Sequence, residues 1–136
     1  MSTFGFPSPA VNDDMQPFFD ATAQQRFVMM RCKHCGSWAW PYGGCRNHDN
    51  EAYLANMEWQ EASGRGQVHS FTIARLEFND AFPTPYVYAI VELDEGPIMP
   101  TNIVGCAPEM VRIGMPVSVV FENAPNGIVL PKFKPA

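Results

Sequence analysis

The chain has 136 residues, 46% of them hydrophobic and 17% charged, with nine Lys and Arg against fourteen Asp and Glu for a net charge of −5. This length suits one ordinary domain, or a small module joined to a compact one, and no apolar run nears the roughly 20 residues that span a bilayer, so no membrane partner is expected. The acidic balance also disfavours nucleic acid, whose binders draw most of their non-specific affinity from cations set against phosphates.

Residues 1–13 mix Ser, Pro, Gly and Phe without a period and are expected to form a loose arm. They carry neither a basic n-region nor a continuous apolar stretch, so they do not read as a secretion signal, and a cytoplasmic location is expected. DDMQPFFDATAQQ follows, with acidic residues and Pro17 at the head of a helix-compatible run over about 14–25. RFVMMRC then reads as a strand delivering Cys32, and SWAWP as its partner leading away from Cys35, with the knuckle CKHCG between them. Residues 14–56 are thus expected to form a helix and a metal ribbon, and residues 57–136 a second unit.

From Met57 the pattern turns to alternation. In QVHSFTIARL, Val68, Ser70, Thr72 and Ala74 fall on one face and His69, Phe71, Ile73 and Arg75 on the other. PYVYAIVELDEG, PIMPTNIVG, MPVSVVFENA and GIVLPKF are further strands, parted by turn signals, and only CAPEMVRIG looks briefly helical. The fold class expected is therefore mainly β with a short N-terminal helix: a metal ribbon followed by a small five-stranded Greek-key barrel of the OB type.

The chemistry concentrates in RCKHCGSWAWPYGGCRNH. Cys32, two residues, Cys35, nine residues, Cys45, two residues and His48 form two short-looped pairs that suit tetrahedral thiolate and imidazole coordination. A full set of four protein ligands leaves no position for water or substrate, so the cage is expected to be structural. In a reducing compartment these cysteines read better as metal ligands than as a disulfide framework. His34, inside the first knuckle, is the competing ligand to His48, and iron the competing metal, although iron would want a fourth thiolate. A vestigial second pair holding no metal is the remaining alternative. A ribbon this short cannot bury enough apolar surface to order itself, so metal would supply what its core lacks.

Elsewhere no catalytic set assembles. Cys106 has no base paired with it in the sequence and reads as a structural thiol. Glu92, Asp94 and Glu95 sit at a strand end, and SGRG lacks the Lys and Ser or Thr of a phosphate loop. Trp38, Trp40 and Trp59 are many large aromatics for a ribbon and its linker; core packing and a partner interface are both open readings.

FF followed by RFVMMRCKHCG, EASGRGQVHSFT, PYVYAIVELDEGP, TNIVGCAPEMVRIGMPVSVVFE and LPKFKPA together resemble the small acyl-CoA-associated proteins catalogued as domain of unknown function thirty-five. The likeness spans about residues 15–136 and is most specific from Gly64 to Glu122. Family members usually carry a second cysteine pair, where this chain has Cys45 and His48. The resemblance implies a rubredoxin-like zinc ribbon followed by a five-stranded OB-fold barrel, forming an accessory subunit of thiolase-fold enzymes: thiolases, acyltransferases, hydroxymethylglutaryl-CoA-forming assemblies and retro-aldolases that shorten steroid side chains. It further implies that the partner holds the nucleophile and acid/base groups, while this chain docks on it and helps enclose an acyl-CoA. A cavity for CoA wants an apolar wall and a few cations, which nominates Phe78 and Phe82 as wall and Lys132 and Lys134 near a phosphate. A stand-alone acyl-CoA or lipid carrier and a nucleic-acid-binding OB protein are the rival readings.

Overall fold

The computed structural model describes residues 13–40, 44–45, 47, 54–77 and 82–136. Helix α1, Gln16–Ala23, starts on Pro17, whose missing N–H costs nothing in a first turn, and buries Phe18, Ala21 and Thr22. It ends in a Schellman turn. Gln25 takes a left-handed φ of 57°, its N–H donates to Thr22 (2.9 Å), and the Arg26 N–H reaches back to Ala21 (2.8 Å).

The chain then enters a small antiparallel sheet of β1 (Val28–Cys32), β2 (Trp38–Ala39) and β3 (Met57–Glu61), ordered β2-β1-β3. The alternation that begins at Met57 assigns residues 57–61 to the second unit. Their ladder partner is β1, in a register running from Val28 opposite Glu61 to Cys32 opposite Met57. Period-two patterning marks a strand without naming its neighbour, and these five residues complete the ribbon.

Five strands close the barrel: β4 (Arg65–Ala74), β5 (Tyr86–Leu93), β6 (Ile98–Ile103), β7 (Pro116–Asn123) and β8 (Val129–Pro135), in the order β4-β5-β6-β8-β7. All pairings are antiparallel except β6 with β8, which meet in parallel at Ile103 and Phe133. This is the Greek-key closure of an OB barrel. Strand β4 serves both sides by crossing near Gly66, where an added Cβ would run into the Glu92 carbonyl and Val91. The expected helical stretch in CAPEMVRIG is a single 3₁₀ turn, Pro108–Met110, between β6 and β7.

A register shift between Val68 and Ser70 changes the expected faces of β4. The bulge turns Val68 inward opposite Val91, and beyond it Phe71 and Ile73 are the residues packed on the core, while Ser70 and Thr72 are exposed. One extra residue reverses which half of an alternating pattern is buried.

The barrel interior is built from Val68, Val87, Ala89, Val91, Met99, Ile103, Val117 and Phe133. It continues without a break into Phe18, Phe27, Val28 and Met29. The Phe27 ring stands edge-on to Phe133 at 6.2 Å, and Phe18 meets Trp40 at 5.6 Å and Trp59 at 6.4 Å. The buried Thr22 hydroxyl lies 2.8 Å from the Val129 carbonyl of β8 and 3.0 Å from that of Phe19. Helix α1 is thereby seated on both the ribbon and the last barrel strand. No helix among the described residues is long and apolar enough to cross a membrane.

Candidate metal centre

Strand β1 carries Cys32 to its end, where the side chain is buried beside Met30 and Met57. The chain then turns sharply. The Gly36 N–H donates to the Cys32 carbonyl (2.9 Å) and the Cys32 N–H to Ser37 (2.8 Å), closing the knuckle on Gly36 at a φ of 75°, a conformation that favours glycine. Lys33 N–H donates to Asn56 (2.7 Å), fastening the turn to the segment that opens β3. Cys35 is left exposed at the tip and Cys45 comes up against it, half-buried.

The sulfurs of Cys32, Cys35 and Cys45 all lie within 4.8 Å of one another, and those of Cys35 and Cys45 are 3.5 Å apart. Ligand sulfurs about 2.3 Å from a tetrahedral zinc stand about 3.8 Å from each other, so this spacing fits a shared ion. The donor set agrees, since thiolates suit a borderline-soft cation. His48 lies outside the described residues, and His34 is exposed in the knuckle turn.

Polar neighbours surround the sulfurs. Ser37 Oγ is 3.2 Å from Cys35 Sγ, the Asn47 side-chain amide donates to Ser37 Oγ (3.0 Å) and to Cys35 Sγ (3.5 Å), and the Asn47 backbone N–H donates to Cys45 Sγ (3.5 Å). The Ser37 and Asn47 side chains, with the Ser37 backbone and Cys45 adding to them, hold the Cys35 thiol down at about 5. At Cys45 the Asn47 N–H also favours the thiolate, but desolvation and the neighbouring Cys35 and Cys32 outweigh it and push the thiol up. One thiolate forms readily and the next resists, the behaviour of crowded sulfurs whose charge a bound cation compensates. Ser37 and Asn47 escaped the sequence reading because neither is a ligand type; the faint signal was their placement beside Gly36 and His48.

Of the residues nominated for acyl-CoA, Phe82, Lys132 and Lys134 are among the described residues. Phe78 lies outside the described residues. Phe82 is half-buried, its ring 6.1 Å from Tyr86. Lys132 and Lys134 are on β8, two strands away from β5 in the barrel order. The Lys132 side chain is only 14% exposed, and its Nζ pairs with Glu122 Oε1 at 2.8 Å; Lys134 is exposed.

The remaining candidates have structural engagements. Cys106 is half-buried against the core. Glu92 faces His69 (3.9 Å), Asp94 faces Arg65 (3.8 Å), and Glu95 accepts from the Ser63 N–H (2.7 Å). Trp40 and Trp59 pack on Phe18, and Trp38 lies under the Arg31 guanidinium at 5.1 Å, so all three are used within the protein. Among the described residues, the exposed large apolar side chains are instead Leu76, Tyr88, Ile98, Met110 and Ile113, all on the barrel side.

Residues 59–122 match the family model described as ChsH2, C-terminal OB-fold domain. A protein of Methanocaldococcus jannaschii named DUF35 domain-containing scaffold protein is 35% identical over 119 residues, covering 79% of this chain and 80% of the relative. This chain belongs to the DUF35 family. A protein of Thermomonospora curvata named probable enoyl-CoA hydratase alpha subunit is 41% identical over 132 residues. That alignment takes in 96% of this chain but only 40% of the relative's length. Among solved structures, a chain of the Ltp2-ChsH2(DUF35) aldolase superposes with a TM-score of 0.81 at 39% identity, over 94% of this chain and 98% of its own. The DUF35 architecture, ribbon then OB barrel, thus extends over nearly the whole described molecule.

Proposed function

We propose that this chain is a non-catalytic accessory subunit that docks on a thiolase-fold enzyme and helps enclose its acyl-CoA substrate. The observation that carries the reading is the near full-length likeness to the ChsH2(DUF35) chain of an aldolase whose name joins it to a second component, Ltp2. The name of the Thermomonospora curvata relative, a subunit acting on an enoyl-CoA, points to the same substrate class. The site agrees chemically. Cys32, Cys35 and Cys45, with His48 as the fourth ligand that the sequence spacing supplies, would hold a structural zinc; the metal would contribute four fixed bonds that order the ribbon. These residues then present a surface and leave bond making to the partner.

Two features weigh against the rivals. Among the described residues, a groove over β4 and β5, lined by Ser70, Phe71, Thr72, Tyr88 and Ile90, measures about 240 Å³, itself below the roughly 300–1,000 Å³ usual for sites that hold a ligand alone. OB barrels read nucleic acid on the outer face of the corresponding strands, and the Ser70–Ile90–Pro100 and Thr72–Tyr88–Asn102 rows there carry no cation. The phosphate contact is assigned to Lys134 in preference to Lys132, whose ammonium Glu122 already engages. Co-expression with a thiolase-fold partner tests the proposal. A stable hetero-oligomer with thioester-cleaving or thioester-forming activity is expected, together with inactivity of this chain alone. Appreciable turnover by the isolated chain would overturn it.

A further inference from the structure

The geometry points to Arg31 as a positioning residue for the metal cage, a clasp that holds the first cysteine pair and the strand leading to the second in one arrangement. Arg31 lies on β1, next to Cys32, and its ladder neighbours are Trp38 on β2 and Glu58 on β3. Its Nε–H donates to the Gly36 carbonyl at 3.0 Å. The same guanidinium lies over the Trp38 ring, its carbon 5.1 Å from the centroid. Gly36 is the residue on which the knuckle closes, its N–H already given to Cys32. The knuckle is therefore fastened by backbone on one side of Gly36 and by Arg31 on the other.

The second contact matters as much. β2 has only two residues, too few for its ladder to fix its course. Stacking on Trp38 ties that short strand to β1, and β2 is the route by which the chain leaves the first pair for Cys45. One side chain thus constrains both segments whose separation sets the spacing of the three sulfurs. Gly36 is shaped for this role: a Cβ there would stand 3.2 Å from the Arg31 Nη2 atom, besides straining a φ of 75°.

The arrangement needs a guanidinium. Its edge donates to a carbonyl while its face covers an indole, and an ammonium on a flexible stem cannot do both at once. Residues that orient metal ligands from outside the coordination sphere change metal affinity by about 10–100-fold when replaced. The expected consequence of losing the clasp is weaker zinc binding, with no change in which residues ligate.

The inference rests on the cage holding zinc, and the test separates the two. Zinc affinity is measured by competition with a chromophoric chelator, on the full chain, for the unaltered protein, Arg31→Met, which keeps the aliphatic stem, and Arg31→Lys, which keeps the charge. Both variants should bind zinc about 10-fold or more weakly, with cobalt-substituted protein showing shifted d–d absorption bands. Affinity within twofold of the unaltered protein for either variant overturns the inference while leaving the cage standing. Absence of zinc binding by the unaltered protein overturns both. Should the variants fail to fold, the Arg31 Nε–H resonance of the unaltered protein decides: slow solvent exchange with zinc bound and faster exchange after chelation supports the clasp, and exchange at the solvent rate with zinc bound refutes it.

Discussion

Ribbon and barrel are held together by different means. The barrel encloses its own apolar interior, with Val91, Ala89 and Phe133 fully buried, and its five strands close so that the sheet has no long free edge. The ribbon's separate cluster is Met30, Cys32 and Met57, and one of those three is a nominated metal ligand. The ribbon compensates by lending Phe27, Val28 and Met29 to the barrel's core and by placing its sulfurs together. A sheet this small keeps its shape through what it is attached to, at one end a hydrophobic neighbour and at the other, on the function proposed above, a bound metal.

The sharpest way to break that contrast is to remove the metal. Chelation, or Cys35→Ser, should abolish hydrogen-exchange protection in β1–β3 while strands from Arg65 onward stay protected; equal loss in both regions would show a single cooperative unit. Next in size, Phe27→Ala cuts the seam itself and should destabilise the whole chain by about 3–5 kcal/mol, read from denaturant unfolding. Thr22→Val removes the hydroxyl donor to Val129 at nearly constant volume, for an expected loss of about 1–3 kcal/mol.

Within the cage, Ser37→Ala and Asn47→Ala remove the donors that hold Cys35 down. A thiol kept low binds metal without proton competition until the pH falls towards about 5, so losing either donor raises its pKa and should move acid release of the metal to higher pH. The thiolate-to-cobalt charge-transfer absorbance, followed through an acid titration, reports that midpoint. The smallest effect is expected at the exposed Arg26–Glu61 pair, on the outside of the ribbon at 3.0 Å, where Glu61→Gln should cost about 0–1 kcal/mol and less in high salt.

Much of this architecture was legible in residue order. The cysteine spacing brought Cys32, Cys35 and Cys45 together on paper before geometry did, because short metal knuckles are local and their ligand types few. The barrel strands were legible because Gly, Pro, Asn and Asp punctuate them. What eluded the sequence was relational. Alternation in MEWQE could not say that its ladder partner was β1, and nothing in QVHS announced the bulge that turns Val68 inward. Arg31 carries no signature in residue order, since a clasp is defined by Gly36 and Trp38 lying on either side of it in space. Lys132 was nominated as an available cation, and only the cross-strand register opposite Val120, two positions from Glu122 along β7, revealed where its ammonium goes.

The bond between Thr22 and Val129 joins positions 107 residues apart. Helix α1 is therefore synthesised long before the strand it rests on: the ring partners of Phe18, at Phe27, Trp40 and Trp59, follow early, but the Val129 carbonyl that Thr22 meets comes only with β8. A partner that recognised the seated helix would find it only once β8 had been made, so assembly with a second subunit would carry its own check that synthesis had passed that strand.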